Sequence, residues 1–128
     1  MSKREALTQR MQVSFTKDAL LVEALTHRSY LNEHPNCTSN HNERLEFLGD
    51  AVLELVVTKA LFTDYPDANE GELTAIRASL VNTQSLARLA ERLEVGKALR
   101  MSRGESKDQG RAREAMLANA MEALIGAL

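Results

Sequence analysis

The sequence predicts an all-helical domain, and three observations carry that prediction. Only two prolines and six glycines occur in 128 residues, so little interrupts a helix. Leucine, alanine, glutamate and arginine outweigh clusters of strand-favouring residues. Apolar side chains recur three and four positions apart through most of the chain. The length is that of about one domain, and 44% apolar composition is enough for a globular core.

Ser2, with Glu5 three residues on, makes a capping box for a short first helix. Thr16 is placed to cap a second, from Lys17 to about Thr26, with Leu20, Leu21, Ala24 and Leu25 as its apolar face. His27 and Arg28 then fall where cationic side chains favour a helix C-terminus. Residues 31–42, with Asn, His, Pro, Cys and Ser and no apolar period, read as a loop. A third helix runs from near Asn42 to about Tyr65; Leu45, Leu48, Val52, Leu55 and Val56 share one side of it, which predicts a buried face, and Pro66 ends it. Asn69 and Glu72 repeat the capping box ahead of Leu73, Ile76, Leu80 and Val81. Leu86, Leu89, Ala90 and Leu93 mark a further helix with Gly96 as its stop. Residues 100–113 read as a solvated loop, its basic side chains Arg103, Lys107, Arg111 and Arg113 in water rather than on phosphate. A last apolar helix begins near Arg113 and is still running at Leu128.

Cys37 is the only cysteine, so no internal disulfide is possible and a reducing compartment suits the chain. Residues 1–12 are charged and lack the apolar core of a signal peptide, and no later stretch approaches the roughly 20 apolar residues that span a membrane. A cytoplasmic location and no membrane partner are expected. A net charge of −2 is not the basic balance of a protein that holds nucleic acid by charge alone. An enzyme that gathers carboxylates around a divalent cation escapes that objection, because the cation supplies positive charge where phosphate sits.

Glu43, Glu46 and Asp50 lie three and four residues apart, which stacks them along one stripe of a helix. Like charges at that spacing repel by a few tenths of a kcal/mol per pair, roughly, so the stripe needs either full solvation or a cation. Spacing leaves both readings open: with Asn40 as cap, Glu43 is an ordinary capping-box partner, and acidic residues suit a first turn. Gly49, inside an otherwise good helix, costs about 1 kcal/mol relative to alanine, which predicts the close approach of another backbone. In the last helix Asn119 and Glu122 also share a face, though that pair alone says little.

The run Asn42-Glu-Arg-Leu-Glu-Phe-Leu-Gly-Asp50 followed by Ala51-Val-Leu resembles the signature of the ribonuclease III family. Further agreement covers most of the chain: Ala24-Leu-Thr-His-Arg-Ser-Tyr30, Glu70-Gly-Glu-Leu73, Arg77-Ala-Ser-Leu-Val81, Asn82-Thr83, Leu86-Ala87 and Glu122-Ala-Leu-Ile-Gly126. The resemblance implies the all-α endonuclease-domain fold, a helical bundle forming a symmetric homodimer. It also implies Mg²⁺-dependent cleavage, with Mn²⁺ as a substitute, of double-stranded RNA in ribosomal and other structured precursors, leaving 5′-phosphate ends. Carried over residue by residue, Glu46, Asp50 and Glu122 match metal-ligating positions, with Asp50 and Glu122 catalytic. Glu43 and Glu70 match supporting acidic positions. Phe47 matches an aromatic that packs into the partner subunit, whereas its spacing alone reads as core. His27 and Arg28 belong to a structural motif of the family and are not expected to be catalytic.

Two departures qualify these expectations. Asn119 stands where the family usually has an aspartate as fourth acidic ligand; an amide oxygen can ligate Mg²⁺ but brings no negative charge. A natural variant that still works, a substitution that traps substrate and a paralogue that binds RNA without cutting it all remain open, and the non-cleaving RNA-binding module is the alternative to the nuclease. The family pattern also continues past Leu128 through the rest of this helix, one more, and usually a double-stranded-RNA-binding domain. Residues 1–128 are thus expected to be a catalytic domain cut short in its last helix, without that RNA-binding domain.

Overall fold

The computed structural model of the chain describes residues 1–107 and 109–128. Its described elements are all helices: α1 (Lys3–Met11), α2 (Asp18–Ala24), α3 (Arg28–Glu33), α4 (Glu43–Asp64), α5 (Glu70–Leu80), α6 (Thr83–Arg92), α7 (Val95–Ala98), α8 (Arg103–Ser106) and α9 (Arg111–Ala127). The centre is α9, apolar around most of its circumference and buried accordingly, with Leu117, Ala120, Ala123 and Leu124 all at 2% exposure or less. It packs against α4, α6, α2 and α7. Among the described residues no helix is long and apolar enough to cross a membrane.

Both predicted capping boxes are present. Ser2 Oγ accepts from Glu5 N at 3.1 Å and Asn69 Oδ1 from Glu72 N at 2.9 Å, and each glutamate reaches back to the N–H of the residue that caps it. The second helix departs from expectation. It starts at Asp18 with Lys17 in the cap position and no side-chain cap bond, because the chain bends at Thr16, one residue too early for its hydroxyl to reach the free N–H groups.

His27 opens a helix rather than closing one, and the loop expected from residue 31 begins as helix α3. His27 is extended and its Nδ1 accepts from Ser29 N at 3.1 Å, the work usually done by Ser, Thr, Asp or Asn. The preceding Thr26 forms a parallel bridge with Arg100, in which His27 N donates to Arg100 O at 2.8 Å and Arg100 N to Leu25 O at 2.7 Å. The Arg100 guanidinium donates to Thr26 Oγ1 at 2.8 Å and covers the Tyr30 ring at 4.5 Å. Residues 100–113 are therefore not one solvated loop. Arg100 is pinned to the body, Ser102 caps α8, and α9 begins two residues earlier than expected; residue 108 lies outside the described residues.

Gly96 lies within α7. The turn after α6 is made instead by Glu94, which takes the left-handed conformation at φ 57°.

The largest departure concerns α4. Leu45, Gly49 and Leu61 are buried, but Leu48, Val52, Leu55 and Val56 are 37 to 60% exposed. The wide apolar sector has two halves: Leu45, Gly49 and the half-buried Leu53 belong to the core side, while Phe47 and the other four look away from the chain. Asn42 is in the cap position of α4 without a side-chain cap bond, so neither it nor Asn40 acts as one. It is buried, with Nδ2 donating to Ala24 O at 3.1 Å and its backbone N to Thr26 O at 2.9 Å, which fixes the start of α4 against the end of α2. Helix α5 buries no residue fully, and Leu89 of α6 stands 41% exposed beside the buried Leu86, Ala87 and Ala90.

Candidate active site

Glycine at position 49 is what lets α4 and α9 meet. A Cβ there would stand 1.6 Å from the carbonyl oxygen of Glu122 and 2.9 Å from the backbone N of Gly126. The relation is reciprocal, since a Cβ on Gly126 would lie 2.3 Å from the carbonyl oxygen of Leu45. Two helices crossing backbone to backbone bring side chains that flank the glycines into one space. Here those side chains are Glu46 and Asp50 from α4 and Glu122 from α9, which line an open cavity of about 430 Å³ together with Glu43 and Phe47.

The electrostatics follow from that crowding. Partial burial, then hydrogen bonding and charge repulsion from Asp50, then repulsion from Glu46 push the Glu122 carboxyl up to about 8. Burial, followed by the charges of Glu43 and Asp50, raises Glu46 as well. Among the described residues no three acidic, histidine or cysteine side chains already close around one point as metal ligands. The arrangement is a tight Asp50–Glu122 pair with Glu46 beside it.

Asn119 stands one turn from Glu122 on α9 but lines an adjoining cavity of about 330 Å³, with Glu43, Glu46, Arg28 and Asn42. Glu46 and Glu43 belong to both cavities, so Asn119 reaches the cluster from the Glu46 side. Glu43 is itself clamped: Arg28 Nη2 lies 2.5 Å and His41 Nδ1 3.1 Å from its Oε2. Glu70 is exposed in the first turn of α5 and lines none of these cavities, so a single chain does not bring it to the other carboxylates. Phe47 is 82% exposed, against the core role its spacing suggested. A larger cavity of about 880 Å³ lies beyond Glu43 and contains neither Asp50 nor Glu122, so the carboxylate chemistry is not there.

Sequence reading missed the Arg28 and His41 partners of Glu43, and also the continuation of the acidic stripe. Asp50, Glu54 and Thr58 are spaced by four, and Arg77 of α5 binds both Glu54 and Thr58. The four-residue period was the signal available for that extension.

Fold and site define an all-α domain that presents a carboxylate cluster at a glycine-paired helix crossing. Residues 17–128 match the family model described as ribonuclease-III-like. Ribonuclease 3 of Bacillus cytotoxicus is 50% identical over 123 residues, covering 96% of this chain and 50% of that protein. Ribonuclease 3 of Nitratiruptor sp. is 48% identical over 128 residues, covering 100% of this chain and 54% of its own length. Among solved structures, the nuclease domain of ribonuclease III from Campylobacter jejuni, with structural flexibility in its region involved in dimer formation, superposes at a TM-score of 0.85. It is 43% identical and covers 96% of this chain and 82% of that one. Dicer from Pichia stipitis matches at a TM-score of 0.64 and 34% identity, over 90% of this chain and 47% of its own. The chain belongs to the ribonuclease III family. It spans about half the length of the curated relatives it matches.

Proposed function

We propose that residues 1–128 form the catalytic domain of a divalent-metal-dependent endoribonuclease that cuts double-stranded RNA in the cytoplasm, leaves 5′-phosphate ends and works as a symmetric homodimer. The observation that carries this reading is the Gly49–Gly126 crossing, which sets Glu46 and Asp50 against Glu122 in one open cavity. Glu46, Asp50 and Glu122, with the Asn119 amide beside Glu46, would hold Mg²⁺ or Mn²⁺. An all-oxygen donor set suits such hard cations; burial, then repulsion among the carboxylates, raises Glu122 and Glu46, and a cation offsets that repulsion. When bound, the metal supplies Lewis-acid activation of water and charge neutralisation on the phosphate.

The chain's own contribution is to fix the carboxylate oxygens on two rigid helices and leave their cavity open to a phosphate. Glu43 supports the cluster from the outer side while Arg28 and His41 steady it. The exposed half of α4, with Phe47, Leu55 and Val56 at 58% exposure or more, is an apolar surface of the kind that a second copy covers. In such a dimer Glu70, remote from its own cluster, is available as a supporting acid in an RNA-binding valley that the two copies would share. Little base specificity is expected, because duplex RNA is read by shape and 2′-hydroxyls.

Asn119 favours one second reading, a module that binds duplex RNA without cutting it. The test is incubation of the chain with long duplex RNA and Mg²⁺, beside Glu122→Gln and Asn119→Asp. Cutting that disappears in Glu122→Gln supports the nuclease. Binding without cutting by the chain supports the second reading, and cutting restored in Asn119→Asp would trace the loss to that one ligand position.

A further inference from the structure

The acidic stripe of α4 does not end at Asp50. Glu54 and Thr58 follow at one and two helical turns, about 5.4 Å each, and both are bound by a side chain from the next helix. Arg77 Nη1 donates to Thr58 Oγ1 at 2.9 Å, and Arg77 Nη2 lies 3.5 Å from Glu54 Oε1. Arg77, Glu54 and Asp50 line one cavity of about 300 Å³, completed by Thr74, Ala78 and Val81. Asp50 also lines the carboxylate cavity, so the two cavities lie on either side of one residue and follow each other along α4. We propose that Arg77 anchors a backbone phosphate of the duplex, adjacent to the phosphate that is cut. The proposal rests on the endonuclease reading given above.

Three features single out this arginine. Among the described residues it is the only cation lining the cavity that it shares with Asp50, in a chain whose net charge of −2 gives phosphate little general attraction. Its guanidinium carries five N–H donors, and the Thr58 bond with the long Glu54 pair leaves donors for a phosphate oxygen. Its side chain is 32% exposed, so it is held in place yet open to that cavity. Arg28, at the other end of the cluster, differs: it is 63% exposed and committed to Glu43 at 2.5 Å. Arg77 is also one of the ties between α5 and α4, so the test must separate an anchor for RNA from a strut between helices.

Duplex-RNA affinity is measured as a function of salt in a Glu122→Gln background, with Mg²⁺ held constant, for Arg77, Arg77→Gln and Arg77→Lys. Arg88→Gln, an exposed arginine of α6, serves as control. A phosphate contact predicts that Arg77→Gln weakens binding by a few-fold to about tenfold and lowers the slope of log K against log salt by about one, while Arg77→Lys keeps the slope. Arg88→Gln should change neither. Equal losses of melting temperature in Arg77→Gln and Arg77→Lys with an unaltered slope would overturn the contact and leave a strut. Failure of the Glu122→Gln background and of the unsubstituted chain to bind duplex RNA at all would instead overturn the endonuclease reading, and the phosphate contact with it.

Discussion

The carbonyl oxygen of Glu122 occupies the place where Gly49 would carry a side chain: a Cβ there would come within 1.6 Å of it. The residue whose carboxylate meets Asp50 is therefore the same residue whose backbone forbids anything larger than hydrogen at position 49. Packing and chemistry are coupled at one point. Whatever separates α4 from α9 also separates Glu46 and Asp50 from Glu122.

Gly49→Ala must displace α9 backbone, which cannot yield as a flexible side chain can. Overpacking of this kind costs about 1–3 kcal/mol, occasionally more, with the upper end expected against backbone, and metal-dependent activity should fall along with stability. Gly71 is the contrast: its nearest neighbour is the Asn69 side chain at 3.4 Å, and it lies inside α5. Gly71→Ala should be stabilising by up to about 1 kcal/mol through helix propensity. Urea denaturation of the two variants reads both effects, and a neutral Gly49→Ala would contradict the close crossing.

The pH dependence of the metal-free chain carries the sign of the Glu122 shift. Its folded value, about 8, lies above the ordinary 4.5, because burial and Asp50 favour the protonated form. The folded chain therefore holds this proton more tightly than the unfolded chain does. Its contribution to stability is complete below about 4.5 and is lost as pH rises through about 8. In EDTA the melting temperature should decline between those values, and excess Mg²⁺ should flatten the decline by offsetting the charges. Glu122→Gln, which cannot ionise, should remove most of this slope; an unchanged slope in that variant would place the titration elsewhere.

Legibility in the sequence followed the range of the interactions involved. The capping boxes at Ser2 and Asn69, the close approach at Gly49 and the acidic stripe rest on local spacing, and all were readable, whereas the helix that approaches Gly49, α9 at Gly126, was not. His27 misled because an imidazole nitrogen does the work of a hydroxyl or carboxylate cap. Arg100 looked solvated because Thr26 and Tyr30, which hold it, are some 70 residues away in sequence. The α4 face was misread for a different reason. Periodicity reports which side of a helix avoids water, but not whether the covering surface comes from the same chain. For the site, the carboxylates were legible, whereas the clamp on Glu43 and the Arg77 contacts required the tertiary fold.

Asn119→Asp adds a carboxylate on the Glu46 side of the cluster. Without metal the extra charge should lower the melting temperature, because burial, then the charges of Glu43 and Asp50, already disfavour ionised Glu46. With Mg²⁺ it should tighten metal binding and raise the rate of RNA cutting. Calorimetric titration of Mg²⁺ into both forms checks this separately from catalysis. Equal affinity would show that residue 119 lies outside the metal's coordination.

Phe47 should be dispensable to the folded chain and costly to the dimer. At 82% exposure it contributes little to the core, so Phe47→Ala should leave the intrinsic stability of one chain nearly unchanged. In the proposed assembly its ring is buried against the second copy, alongside Leu48, Val52, Leu55 and Val56. Loss of a central aromatic anchor typically costs about 2–4 kcal/mol of association, or roughly 30-fold to 1000-fold in the dimer dissociation constant. Sedimentation equilibrium over a range of concentrations measures that constant directly, with denaturation at low concentration reporting on the single chain. A variant that still dimerises with wild-type affinity would move the interface off this face of α4; a variant that no longer folds at any concentration would mean that one chain depends on its partner for its own core.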